Sequence, residues 1–374
     1  MVQNDECIPV GEHYVICRNK EAYKSPAINL IRNLSLLENM ITIPYFGEHY
    51  KKISIRIHLS HNFIANKEQF PNGSEYINIS TGCMDTIWCF SRFLFYYYDY
   101  HSEGHKKDHP KEEEKNAIDY YLQRLCFLII SNYDPCKGIL DYLNSWPSTV
   151  PVPVSLDCKL TPDNTEALSS ELTLYGIAFI LMHECAHSYL QHKESTISAE
   201  YEADNLAIEA LFDEKEDQEK KWKILLGVII AMVIPFFFFL NNARQKGTSH
   251  PSPLERLNKI FSKYSNVLSS APEQYDPSQD SMDMRPIIGY ANSIFYQWGQ
   301  IWPKAVLVAE EEIYKMRDGN PEASREETLF DKKLLKTCKQ ITELAASRKF
   351  INPIDSYHEL VKLLSTHISE DKLV

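Results

Sequence analysis

The stretch HECAHSYLQH, His183 to His192, sets two histidines four residues apart, with a glutamate directly after the first. It closes a longer apolar run, ELTLYGIAFILMHECAHSYLQH from Glu171, that reads as one helix. On an α-helix, positions i and i+4 share a face. His183 and His187 therefore point the same way and can hold one Zn²⁺ through ring nitrogens. Glu184 is rotated off that axis. It cannot chelate beside them, but it can reach a water at the open metal position, which is the geometry of a general base. Cys185 faces away and reads as a core thiol. His192 reads as a structural histidine near the helix end rather than a further ligand.

A catalytic zinc site needs a third protein ligand. The form HExxHxxGxxH would supply it from the same run, but Leu190 stands at the glycine position and Lys193 at the third histidine position. The other source is a following helix. EYEADNLAIEALF begins thirteen residues after His187, and its Glu200 and Asp204 are four apart. Glu200 can coordinate the metal, while Asp204 can accept the N–H of a ligand histidine and fix its tautomer. Glu202 lies on another face and reads as solvated. The short link KESTIS lets the two helices pack antiparallel around one metal.

Around this pair the pattern is mixed. KKISIRIHLS and EYINIS alternate apolar and polar residues as half-buried strands do. PNGS before the second reads as a turn, and Ser80 or Thr81 can cap the helix MDTIWCFSRFLFYYYDY after it. A helix NLIRNLSLLENM is expected near the N-terminus and another at AIDYYLQRLCFLIIS. HSEGHKKDHPKEEEKN, with His101, His105 and His109, reads as a solvated loop, and residues 132–164 as a Pro- and Ser-rich loop. The expected class is α+β, mainly helical, with a lead-in over 1–45, a central domain over 46–265 and a helical region over 266–374.

Composition narrows the function. The 374 residues carry a net charge of −12, which argues against a nucleic-acid partner. The nine cysteines form no CxxC pair and read as reduced, mostly buried thiols of a cytoplasmic protein. No signal-peptide pattern opens the chain. One run, ILLGVIIAMVIPFFFFL from Ile224 to Leu240, sits at the lower length limit of a membrane span, with Lys220, Lys221 and Lys223 before it and Arg244 and Lys246 after it. A buried core helix is favoured over a membrane-associated segment.

HExxH followed by ExxAD resembles the gluzincin metallopeptidases. The HExxHxxxxH form of HECAHSYLQH, and SHPSPLERLNKIF from Ser249 to Phe261, are similar to HtpX-type membrane peptidases. In size and layout the chain more closely resembles the phage-exclusion peptidase Lit family. The resemblance covers about residues 48–265 and leaves the last hundred residues unexplained. It implies a zincin-like metallopeptidase core, with a small β-sheet, an active-site helix pair and C-terminal helices. It implies Zn²⁺ held by His183, His187 and Glu200, with Glu184 as general base and His250 stabilising the oxyanion or holding substrate. The substrate would be a cytosolic protein or peptide, which the EYINIS strand could pair with. The competing reading is a non-catalytic helical interaction protein with a structural metal site or a membrane-associated segment.

Overall fold

In KKISIRIHLS every second residue is isoleucine or leucine, so an extended chain there can bury one whole face. The computed structural model does this: Ile53, Ile55, Ile57 and Leu59 are buried, and Ser54, Arg56 and His58 take the other face. The structure describes residues 6–9, 14–18, 42–101, 165–193, 196–212 and 218–238, with single positions in 117–128 and 251–264. The expected helix near the N-terminus, the loops over 102–116 and 132–164, His250 and residues 265–374 lie outside the described residues.

The strands are β1 (Glu6–Pro9), β2 (Tyr14–Arg18), β3 (Ile53–Leu59), β4 (Ala65–Gln69) and β5 (Glu75–Ser80). The helices are α1 (Thr81–His101), α2 (Thr165–Tyr189), α3 (Ile197–Leu211) and α4 (Gln218–Phe238). A helical turn, Ile43–Phe46, and a 3₁₀ turn, Gly47–Lys52, lead into β3. The class is α+β and mainly helical. The five strands form one mixed sheet in the order β1-β2-β3-β5-β4. β2, β3 and β5 run parallel, and the outer strands β1 and β4 are antiparallel to their neighbours.

The turn FPNGS closes the β4–β5 hairpin, with Gly73 at φ 82° and its N–H donating to the Phe70 carbonyl at 2.9 Å. β5 then runs straight into α1. Ser80 is the cap: its hydroxyl oxygen accepts the Cys83 N–H at 3.0 Å.

Two expectations about the sheet are corrected. EYINIS is not an open strand for a substrate, because β3 and β5 pair on one side and β4 covers the other. The edge is β4, whose sequence ANKEQ has no apolar alternation and half-exposes its whole length. The N-terminal segment also supplies β1 and β2, which the lead-in reading did not foresee. Cys17 on β2 is disulfide-bonded, so the reading of all nine cysteines as reduced fails there. The residue directly across the ladder from it is Cys7. Cys83, Cys89 and Cys185 are free and buried, as expected.

α2 is the central helix. It packs against α1, α3, α4 and the β4–β5 end of the sheet, and every residue from Leu168 to His183 is buried. That is why its sequence is apolar all round. The apolar segment after Lys223 is part of α4, and Trp222 to Met232 are buried. Among the described residues no helix is long and apolar enough to cross a membrane. Lys223 is not a flanking surface charge: its ammonium is buried and 3.2 Å from the Glu171 carboxylate on α2. A second buried pair, Arg124 to Asp85 at 2.6 Å, ties α1 to the helical positions around Tyr121.

The α2–α4 crossing depends on glycine. A Cβ on Gly227 would lie 2.6 Å from Tyr175 Cβ and 3.0 Å from the Leu172 carbonyl oxygen, and the Gly227 carbonyl itself lies close to Gly176. Gly227→Ala should therefore push the helices apart. We expect it to destabilise by about 1–3 kcal/mol, the usual cost of overpacking, measured as a lowered Tm. An unchanged or raised Tm would show that the helices do not cross this closely.

Candidate metal centre

The last two turns of α2 and the first two of α3 face each other. The link between them is short, and Thr196 caps α3 through its hydroxyl oxygen, which accepts the Ala199 N–H at 3.2 Å. The cap places Glu200 in the first turn, pointing into the interface. His183 Nε2 and His187 Nε2 are 3.1 Å apart. Glu200 Oε2 is 3.4 Å from the first and Oε1 is 3.5 Å from the second. The ligand atoms of these three residues all lie within 4.8 Å of one another. His183 and Glu200 are buried and His187 nearly so. The group can hold a metal ion.

The donor set suits such an ion chemically. Two imidazole nitrogens facing each other cannot both carry protons. Burial and the Arg256 guanidinium disfavour charge on His183, but hydrogen bonds to Asp204 and Glu200 outweigh them and hold its affinity for a proton above normal. Burial, and then the charge on His183, pushes His187 the other way. The pair thus holds a single positive charge beside Glu200, the role a cation would take over.

Asp204 stands one turn after Glu200, and its Oδ1 accepts the His183 Nδ1–H at 2.9 Å. With Nδ1–H committed to Asp204, the proton that a cation would displace from His183 is the one on Nε2, which faces His187. Burial alone would raise the Asp204 carboxyl, but the Arg256 guanidinium and His183 hold it well below the usual carboxylate range. Glu184 points toward β4, where the Lys67 backbone N–H donates to it. Its affinity for a proton is raised, first by burial and then by the Glu200 charge, against the pull of His183 and Arg256.

Three contributors were missed in the sequence. Arg256 grips Asp204 with two parallel bonds, Nε to Oδ2 at 2.7 Å and Nη2 to Oδ1 at 2.5 Å. Its Nη1 is 3.8 Å from Glu200 Oε2. The signal was electrostatic: two carboxylates four apart on a buried helix face require a cation. In SHPSPLERLNKIF the family resemblance points to His250 rather than Arg256. Lys67 carries no signal because β4 has no strand pattern. His192 reads as structural in the sequence, yet its ring lies against His187. Arg256 also bears on the apolar segment. It follows α4 in the chain and bonds Asp204, which precedes α4.

A hydrogen-bond chain fixes the helix to the sheet. The Ser188 hydroxyl donates to Glu75 Oε2 on β5 and lies 2.9 Å from His49 Nε2. Glu75 Oε1 pairs with Lys67 Nζ at 3.3 Å.

Removing one partner of a buried ion pair leaves the other uncompensated. Arg256→Met should cost about 3 kcal/mol of stability, read as a lowered Tm in metal-free protein. Adding Asp204→Asn to that variant should recover part of the loss. An Arg256→Met protein as stable as the parent would mean the guanidinium is not seated on Asp204.

The chain is similar to the "Cell death peptidase" of Escherichia coli (strain K12), 26% identical over 226 residues that cover 58% of this chain and 71% of that protein. No solved structure matches. The family model described as Peptidase U49 matches residues 77–272, a range that holds α1, both helices of the site and Arg256. Because that match spans more than half of the 374 residues, the chain belongs to the Peptidase U49 family.

Proposed function

We propose that this peptidase is a zinc-dependent endopeptidase. The observation that carries the reading is the meeting of His183, His187 and Glu200 in one buried group beside Glu184. Two neutral imidazoles and one carboxylate are the donor set of a catalytic zinc site with an open position. When bound, zinc supplies Lewis acidity toward a substrate carbonyl and toward water.

The protein's own groups supply the rest. Glu184 takes a proton from the attacking water, holds it on its carboxylate and delivers it to the leaving amine. Its raised proton affinity suits it to that shuttle. The Lys67 N–H orients its carboxylate. Asp204, clamped by Arg256, keeps His183 in the tautomer that offers Nε2. His250 is proposed to stabilise the oxyanion, on the strength of the family resemblance.

The edge strand is a second support. Across the hairpin the Ser80 N–H donates to the Ile64 carbonyl and the Phe70 N–H to the Ser74 carbonyl. The alternation of an antiparallel ladder then turns the N–H and C=O groups of Ala65, Lys67 and Gln69 away from β5. Lys67 already donates to Glu184. An extended peptide laid along this edge would pass beside the general base. This replaces the pairing with EYINIS. The Lit-type resemblance extends the proposal to a cytosolic protein substrate cleaved in defence against phage.

Glu184→Gln should keep its zinc and lose proteolysis by between about a hundred- and ten-thousand-fold, the range for a general acid–base group. Zinc content by elemental analysis and cleavage of an unfolded protein substrate are the two readouts. Full activity in this variant would rule out the mechanism.

A further inference from the structure

His187 has two ring nitrogens with different neighbours. Nε2 faces His183 and Glu200. Nδ1, on the opposite side of the ring, is 3.0 Å from Nδ1 of His192. His192 Nε2 is in turn 3.3 Å from Glu202 Oε2. The remaining oxygen of Glu202 accepts the Ser198 hydroxyl at 3.0 Å.

The backbone explains why these rings meet. The Gln191 N–H donates to the Ser188 carbonyl at 3.1 Å and the His192 N–H to the His187 carbonyl at 3.0 Å. Gln191 adopts φ 56°. This is the Schellman ending of a helix, with the left-handed residue just past the last turn. That position favours glycine, and glutamine there carries a conformational cost. In such an ending the residue after the left-handed one lies against the residue five before it. Here the contact is histidine on histidine.

Hydrogen-bond logic then permits one assignment. If His187 offers a bare Nε2 to a cation, its only proton is on Nδ1. That proton must be donated, and the facing atom is His192 Nδ1, which must be bare. The His192 proton is therefore on Nε2, where it faces the Glu202 carboxylate. Every donor meets an acceptor. His192 cannot be a fourth ligand, because the nitrogen it shows to His187 lies behind that ring, away from His183 and Glu200.

We propose that His192, itself oriented by Glu202, is the positioning residue for His187, holding it in the Nδ1–H tautomer with Nε2 toward the metal. The two ligand histidines are thus supported differently: His183 by a carboxylate clamped by Arg256, His187 by a neutral imidazole. This rests on the reading that His183, His187 and Glu200 hold zinc.

The test is zinc affinity of the full chain, by competition with a chromophoric chelator, for the parent, His192→Ala and His192→Asn. The Asn side chain can place its oxygen where Nδ1 was. His192→Ala should bind zinc about 10- to 100-fold more weakly, as loss of a group supporting a metal ligand does. His192→Asn should recover most of that loss, while the Tm values of all three metal-free proteins stay close. A parent that binds no zinc overturns the metal reading and this proposal with it. A parent that binds zinc with His192→Ala unchanged overturns this proposal alone. So does a loss of affinity that Asn does not restore, since that would mark a packing role.

Discussion

Charge buried at the α2–α3 interface is the constraint on which the rest depends. Glu200 and Asp204 are each only 2% exposed, and Glu184 lies beside them. Isolated buried carboxylates are too costly to persist. Arg256 neutralises one. Three ionised carboxylates and one guanidinium leave two negative charges, which a divalent cation would cancel with both imidazoles neutral. Without such an ion, a proton on His183 and a raised proton affinity at Glu184 relieve the same excess. The packing of the helix pair and the seating of Arg256 on Asp204 both serve to keep this cluster balanced.

The surroundings hold the charged cluster in place. α2 carries the two histidines, and it is held by tight packing on one side and by polar ties on the other. Gly176 and Gly227 let α4 approach it to backbone distance. The buried Lys223–Glu171 pair locks that contact. Ser188, one residue beyond His187, bonds Glu75 on β5 and so fixes the end of α2 relative to the sheet edge. Lys67 joins both arms, with its side chain on Glu75 and its backbone on Glu184. The position of β4 beside Glu184 is thus set by the same residues that anchor the helix.

Much of this was legible in the sequence. The i, i+4 spacing of His183 with His187, and of Glu200 with Asp204, fixes which side chains share a face, because helix geometry leaves no alternative. The alternation in ISIRIHL and EYINIS, with a turn between EYINIS and the run before it, gave β3 and β5. The rest was hidden for reasons that differ from residue to residue. β4 reads ANKEQ, and an edge strand needs no apolar face to be paired. Arg256 is distant in the chain, and only the need to neutralise Asp204 points to it. His192 looked like a helix-end residue, and it is one, but the Gln191 turn folds its ring back onto His187. Lys223 looked like a flank of an apolar run, since nothing local reveals a buried partner 52 residues earlier.

The most direct measurement of the account is zinc per purified chain by elemental analysis, for the parent and for Glu200→Ala. The account predicts about one zinc in the parent and its loss in the variant, since two histidines on one helix turn cannot hold the ion alone. A well-folded parent that takes up no zinc when supplied with it would contradict the account. The cluster would then be a proton-balanced contact between two helices.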